Sequence, residues 1–524
     1  MMKLNNIKQI GILVLLFFSS LTLFGQGNEP VKNVKILVDT KIGYQVIDHF
    51  GASDAWSIQN LAQWTTESKN EIADLLFSQE MNSNGSPKGI GLSIWRINLG
   101  AGSKEQGKES GIKDSWRRAS TFINKQGEFQ AQNFSGQLWF AQAARERNVE
   151  RLLLFLNSPP VWLTSNQLAY PTQKGKTNLP VENYDKFSDY IVKSIQGLKL
   201  SGVEIDYVSP FNEPQWDWNA GNQEGSPYRN SEMATIAKQL NEKFVNEEIE
   251  TKIELGESGR IEYLYSGFDK PHSSQMIDDF YGLKSENYIG DLENISSSIS
   301  GHSYFTTSPN EKAIDKRKQL RAAVEEKHGL KYWMSEYCIL GGNDGEINGK
   351  GVDLGMNSAL YMSRVIHNDL VFANASAWHW WLAVSPYDYK DGLIYIPKNK
   401  VDSEYKASKM LWTLGNYSFF VRPGYQRVDL KIPGLEYGEA PILGSAYISL
   451  EEGKLIMVLT NPTDSDYNLD IQIDETKLNR KLKAYLTNEE RNLQYVVVNG
   501  GDLKIPKKAV YTIVSELGQY QGGH

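Results

Sequence analysis

Cysteine is nearly absent: Cys338 is the single one in 524 residues. With one thiol there can be no disulfide framework, no Cys-x-x-Cys redox pair and no cysteine-rich zinc site. Histidine is scarce as well. His49, His272, His302, His328, His367, His379 and His524 nowhere adopt the HxH, HxxxH or HExxH spacing that presents two imidazoles to one metal. The acidic loop Asn343-Asp344-Gly345-Glu346-Ile347-Asn348-Gly349 departs from the calcium-loop pattern and reads as a solvated loop. Neither a metal nor another cofactor is expected.

Basic charge is not in excess. Fifty-five Lys and Arg stand against 63 Asp and Glu, a net charge of −8, which argues against a nucleic-acid partner held by a basic surface. The longest basic run, Lys316-Arg317-Lys318, falls in a helical pattern and reads as a solvated face. Beyond the N-terminus no apolar run approaches the about 20 residues of a spanning helix, so no membrane anchor is expected. The N-terminus itself has Lys3 and Lys8 ahead of a nearly unbroken apolar run over residues 10–24, then Gly25-Gln26-Gly27-Asn28. That length suits the core of a signal peptide over residues 1–26, although Leu23 fits poorly with the small-x-small cleavage rule. No cysteine adjoins it to carry a lipid. The expectation is a soluble monomer, periplasmic or secreted.

Aromatic residues are plentiful: 13 Trp, 27 Tyr and 19 Phe are far too apolar for a disordered coil. The length suits two domains with a sizeable core. Short apolar runs recur at 46–50, 92–99, 151–157, 203–211, 252–256, 299–305, 331–337 and 373–381. Several are continuous rather than alternating, Leu152-Leu153-Leu154-Phe155-Leu156 among them, as in parallel strands covered on both faces. Amphipathic helical patterns lie between them, at 184–198, 231–247 and 311–326 for example. Eight strand–helix units predict a (β/α)8 TIM barrel over 46–412, with a large doubly wound sheet as the alternative. After about Gly415 the pattern changes to short strands at 428–432, 446–450, 454–460, 467–473, 482–486, 494–498 and 509–515. Turn sequences such as Pro462-Thr463-Asp464-Ser465-Asp466 and Asn499-Gly500-Gly501-Asp502 separate them. This predicts an attached all-β sandwich of residues 28–45 plus 413–524, the early strand 34–40 joining it.

Function in such a barrel lies at the C-terminal ends of the strands. The fourth strand ends Ser209-Pro210-Phe211-Asn212-Glu213-Pro214 and the seventh Trp333-Met334-Ser335-Glu336-Tyr337, so two carboxylates share one rim. Retaining glycoside cleavage needs such a pair about 5–5.5 Å apart, one to protonate the leaving oxygen and one to attack the anomeric carbon. Asn212 is placed to bond a sugar 2-hydroxyl. Arg96, ending the second strand, is placed to keep Glu336 ionised, and His302 and Tyr304, at the sixth, to orient it. Polar neighbours would hold the nucleophile's pKa down, and an apolar wall such as Trp216 would raise the acid's. The plainer readings are that Asn-Glu-Pro starts a helix and that Glu336 is a salt-bridge partner. The coincidence of both at strands four and seven favours catalysis. Trp56, Trp95, Trp162, Trp216, Trp218, Trp378, Trp380 and Trp381 cluster near predicted strand ends, where flat rings could stack on sugars. Trp95, inside a strand, reads as core. Glu257 ends the fifth strand and is either structural or a substrate contact. Gly256-Glu257-Ser258-Gly259-Arg260 fails as a nucleophile elbow for want of the last glycine.

At these residues the chain resembles glycoside hydrolase family 30. The resemblance runs through Phe50-Gly51-Ala52-Ser53, Arg96-Ile97-Asn98-Leu99-Gly100, Ser158-Pro159-Pro160-Val161-Trp162 and Ser209-Pro210-Phe211-Asn212-Glu213-Pro214. It continues in Gly301-His302-Ser303-Tyr304, Ser335-Glu336-Tyr337, Trp378-His379-Trp380 and the stretch from Leu414-Gly415-Asn416 to Arg422-Pro423-Gly424. It implies a retaining hydrolase of β-linked polysaccharide or oligosaccharide, with Glu213 as acid/base and Glu336 as nucleophile. The stretch Asn212-Glu213-Pro214-Gln215-Trp216-Asp217-Trp218, with Gln223-Glu224-Gly225, is most similar to the endo-β-1,6-galactanase branch. A xylanase, a β-1,6-glucanase or a non-catalytic carbohydrate-binding protein is the alternative. Asp54, after the first strand, is a candidate contact to the −1 sugar, with Trp56, Trp162, Trp216 and Trp380 as candidate stacking residues.

Overall fold

The computed structural model describes residues 31–399, 401–433, 440–474, 476–477, 482–498 and 503–517. The expected signal peptide and the turn at 499–502 lie outside these. Nine strands organise the molecule: β1 (Lys32–Val46), β2 (His49–Ser53), β3 (Ile94–Asn98), β4 (Arg151–Phe155), β5 (Tyr207–Ser209), β6 (Lys252–Ser258), β7 (Ile295–His302), β8 (Lys331–Tyr337) and β9 (Ala375–Ser385). From β2 to β9 each strand pairs in parallel with the next, and β9 pairs with β2, which closes an eight-stranded barrel.

The continuous apolar runs become strands because both their faces are covered. Leu152 to Leu156 are all 0% exposed, each such side chain contributing about 1.5–3 kcal/mol by leaving water. The helices Tyr184–Leu200, Asn230–Asn246 and Asn310–Glu325 pack outside, within two residues of their predicted bounds. The fourth strand is shorter than its apolar run. Only Tyr207–Ser209 is strand, and Pro210, which has no N–H for the ladder, marks its end.

Among the described residues, a second sheet of ten strands forms the side domain. Here β1 lies between Gln426–Lys431, antiparallel to it, and Tyr467–Ile473, parallel to it. Nine of its strands run as one hydrogen-bonded path and the tenth, Lys504–Ile505, pairs with Tyr467–Ile473 off that path, one face closing on a core that includes Ile36, Val428, Met457, Ile471 and Ile513. Tyr447, Ile456, Tyr485 and Val510 join the barrel's own core. The helix Lys409–Ser418 runs through position 412, where the sequence reading divides the two domains, and Asn416 bonds Thr512 of the sheet at 2.9 Å.

Candidate active site

Glu213 stands four residues beyond β5, where no helix begins: the next one starts at Asn230, so Asn-Glu-Pro is not a helix start. Its backbone is left-handed, at φ 45°. That conformation is held from both sides. The Glu213 N–H donates to the Glu257 carbonyl at 2.8 Å, and its carbonyl accepts from the Trp218 indole at 3.1 Å. Glu336 sits within β8, and one of its carboxylate oxygens lies within 4.8 Å of one from Glu213. Both are buried, Glu213 at 8% and Glu336 at 4% exposure, but neither is sealed.

Each carboxylate has different company. Tyr304 Oη donates to Glu336 Oε1 at 3.1 Å, and Arg96 Nη1 to Oε2 at 3.3 Å. His302 turns mainly to the other glutamate: its Nδ1 is 3.0 Å from Glu213 Oε1 and 3.7 Å from Glu336. Its Nε2 is 3.0 Å from Glu257 Oε2, the oxygen that also receives Arg96 Nη2 at 2.8 Å. The ring expected to orient Glu336 therefore bridges Glu213 and Glu257, because three carboxylates compete for two nitrogens.

The electrostatics follow from this crowding. Burial alone would lower the His302 pKa, but Glu336, Glu213 and Glu257 outweigh it and raise it to about 10. Burial would raise Glu257, yet Arg96 and His302 bring it down to about 2. Glu336 departs from the sequence expectation. Burial pushes its carboxyl above the ordinary value despite His302 and Arg96, and nearby Glu213 adds to the rise. Glu213, His302 and Glu336 approach closely enough to share a cation. An imidazolium with both N–H groups on carboxylates offers a metal no lone pair, so the donor set does not suit one.

The remaining candidates divide. Asn212 is 4% exposed and its Oδ1 has no hydrogen-bond partner among the described residues, which leaves it free for a sugar hydroxyl. Trp216 is half-buried beside Tyr263 and Phe305, at ring distances of 6.0 and 6.1 Å. Trp56 meets Trp381 edge-on at 5.3 Å, with Arg117 over its ring. Asp54 is not available to substrate: it is 1% exposed and accepts from Asn98 N at 2.8 Å and Gln137 Nε2 at 2.9 Å, clamping the strand ends. Trp380 is 0% exposed and donates to the Asp391 carbonyl at 2.6 Å, a core residue rather than a stacking surface. Trp162 packs edge-on against Tyr190 and lines a separate groove with Lys186 and Lys193. Arg317, read from sequence as solvated, is 0% exposed. It holds Asp369 at 2.7 Å and the carbonyl of Thr306, bracing the loop that follows His302.

Some contributors escape a sequence reading. Phe305 and Phe268, 61% and 55% exposed, extend the aromatic surface around Trp216, with Arg260 over both rings. Phe305 directly follows His302-Ser303-Tyr304, a signal that position alone could have supplied. Glu224 is fully buried and accepts from Ala101 N at 2.9 Å and Ser103 N at 3.2 Å, tying the loop after Glu213 to the one after β3.

Two close carboxyl groups, one supported by Arg96 and Tyr304 and the other by an imidazolium, can protonate a leaving oxygen and attack a carbon beside it. Comparison with known proteins agrees. Residues 33–395 match the sequence profile of O-glycosyl hydrolase family 30. A conserved exported protein from Bacteroides fragilis is similar at 32% identity and TM-score 0.84, over 91% of this chain and 99% of that one. The catalytic domain of a family 30 xylanase C from Talaromyces cellulolyticus shares the fold at 19% identity and TM-score 0.66, over 92% and 99%. So does an endo-β-1,6-glucanase at 16% identity and TM-score 0.66, over 92% and 94%. The chain belongs to O-glycosyl hydrolase family 30, and it is an enzyme that hydrolyses glycosidic bonds.

Proposed function

We propose that the protein is a secreted, retaining endo-β-1,6-galactanase acting on arabinogalactan-type side chains. The observation that carries the retaining chemistry is the approach of Glu213 and Glu336 within 4.8 Å, too close for a water to attack from between them. Glu336 attacks the anomeric carbon and forms a glycosyl-enzyme. Arg96 and Tyr304 hold its two oxygens so that one lone pair faces the sugar. Glu213 protonates the departing oxygen and then, as a carboxylate, removes a proton from the hydrolytic water. With Oε1 bonded to His302, Glu213 has Oε2 left for that proton. Asn212 bonds the 2-hydroxyl, and Trp216 with Phe305 stacks on a neighbouring sugar face.

The galactan assignment is supported by Asn212-Glu213-Pro214-Gln215-Trp216-Asp217-Trp218, whose half-buried Trp216 packs beside the exposed Phe305. Export is supported by the apolar run at 10–24, and Edman sequencing of the mature protein should begin near residues 26–28. Glu336→Gln should reduce turnover by about 10⁴-fold with an unchanged thermal transition, and near-wild-type turnover would remove its role. A panel of β-1,6-galacto-, β-1,6-gluco- and β-1,4-xylo-oligosaccharides, with products followed by chromatography, tests the substrate. Fastest cleavage of the galactan series within the chain is expected. Preference for either other series would overturn the galactan assignment.

A further inference from the structure

We propose that Glu257 is a positioning residue for the hydrolysis, a third carboxylate that never meets the sugar but sets both reacting carboxylates in place. The proposal rests on the roles just given to Glu213 and Glu336. A single oxygen, Glu257 Oε2, receives Arg96 Nη2 at 2.8 Å and lies 3.0 Å from His302 Nε2. The other ends of those two cations rest on the catalytic pair: Arg96 Nη1 on Glu336 at 3.3 Å, and His302 Nδ1 on Glu213 at 3.0 Å. Glu257 is thus the joint of two rigid arms, one ending on each reacting group. A third link runs through the backbone, where the Glu257 carbonyl accepts the Glu213 N–H at 2.8 Å.

The local backbone is shaped for this task. The pairing of β6 with β7 slips between Leu255 and Ser258, Gly256 takes φ 122° and Glu257 takes φ 40°. The irregularity lets Glu257 and Glu254, three residues apart on one strand, both approach Arg96, where a regular pleat would set them on opposite faces. The Glu257 N–H is secured on Ser300 Oγ at 2.8 Å. Left-handed backbone at a glutamate costs stability and persists where the surroundings impose it. So does a fully buried charge cluster, which well-packed apolar side chains would replace without loss of stability. Stability alone therefore gives little reason for this arrangement, whereas geometric control of Glu213 and Glu336 does. The titratable groups around Glu257 and His302 are Arg96 from β3, Glu213 after β5, Glu254 from β6, Tyr304 after β7, Tyr332 and Glu336 from β8, and His379 from β9.

The test is Glu257→Gln in the full chain, assayed on the oligosaccharide series the wild type cleaves fastest. Glu336→Gln is run beside it. The expected result is a kcat lowered by about 10- to 100-fold with KM within about threefold of wild type. His302, followed by its imidazole NMR signals, should also deprotonate at lower pH than in wild type, because its Nε2–H has lost an anionic acceptor. Wild-type kcat with an unmoved His302 titration overturns the proposal. Should Glu257→Gln lack a cooperative thermal transition, Glu257→Asp carries the test. It keeps the charge but withdraws it by one methylene, so His302 should titrate between the wild type and Glu257→Gln while kcat falls, and an undiminished kcat overturns the proposal. An active Glu336→Gln would instead overturn the assignment of the nucleophile, so the two failures are distinguishable.

Discussion

At the scale of single residues, the site is governed by how few charges share a dry volume. Arg96, Glu257 and His302 are each at 0% exposure, so their protonation is set by one another rather than by solvent. This makes stability depend on pH in a definite direction. His302 has a folded pKa of about 10 against an ordinary 6.5, so its contribution is complete below about 6.5 and is lost as pH rises towards 10. Asp54 and Glu224 are pushed up by burial to about 7, and their contributions also fall as pH rises from their ordinary values through 7. Glu257 works oppositely: lowered to about 2, it stabilises above its ordinary 4.5 and is lost as pH falls. Buried His49 and His367, lowered to about 4 and about 3, oppose the raised acids below pH 6.5, so the definite expectation lies above it: the denaturation midpoint should decline from about pH 6.5 towards pH 10. Urea titrations across that range check this, and a midpoint that rises with pH would contradict it.

At the scale of elements, the irregular strand β6 is the decisive one. Gly256 has φ 122°, and an added Cβ would collide with the Ser300 carbonyl. Gly256→Ala should therefore either unfold the irregularity or shift Glu257. We expect a loss of about 1–3 kcal/mol in unfolding free energy, the range for a side chain forced into such a conformation, and at least tenfold lower kcat. Circular dichroism melts and initial rates would measure both. A control at Gly424, also left-handed at φ 91° but with no described residue within 4 Å of an added Cβ, should lose some stability and little activity. The loops after β5 and β7 show the same division of labour. Trp218 and Glu224 hold one, Arg317 and Asp369 brace the other, and neither pair touches the reacting carboxylates.

At the scale of the whole molecule, barrel and side domain share a core through Tyr447, Ile456, Tyr485 and Val510, and through hydrogen bonds such as Ser363 to Thr460 at 2.6 Å. A chain cut to residues 46–412 would expose that apolar face and break the helix Lys409–Ser418, so it should be insoluble. The full chain should melt in one calorimetric transition, and two separated transitions would show that the parts are independent. The barrel was legible in the amino-acid sequence because its evidence is local. Runs such as Leu152–Leu156 announce doubly covered strands, helical periodicity marks the segments between them, and Glu213 and Glu336 stand at strand ends that counting alone identifies. What escaped the sequence depends on distance across the fold. Asp54 and Trp380 sit at plausible positions, yet they face inward to partners at Gln137 and Asp391 that no spacing reveals. His302 chose Glu213 and Glu257 over Glu336, and Glu257 joined the cluster through a slip in β6. Pattern and periodicity determined where the strands lie and which residues end them. Closure of the barrel alone decided which side chains meet, because electrostatic and hydrogen-bond partners are fixed over a few ångströms between distant segments, as between Arg96 and Glu336, 240 residues apart.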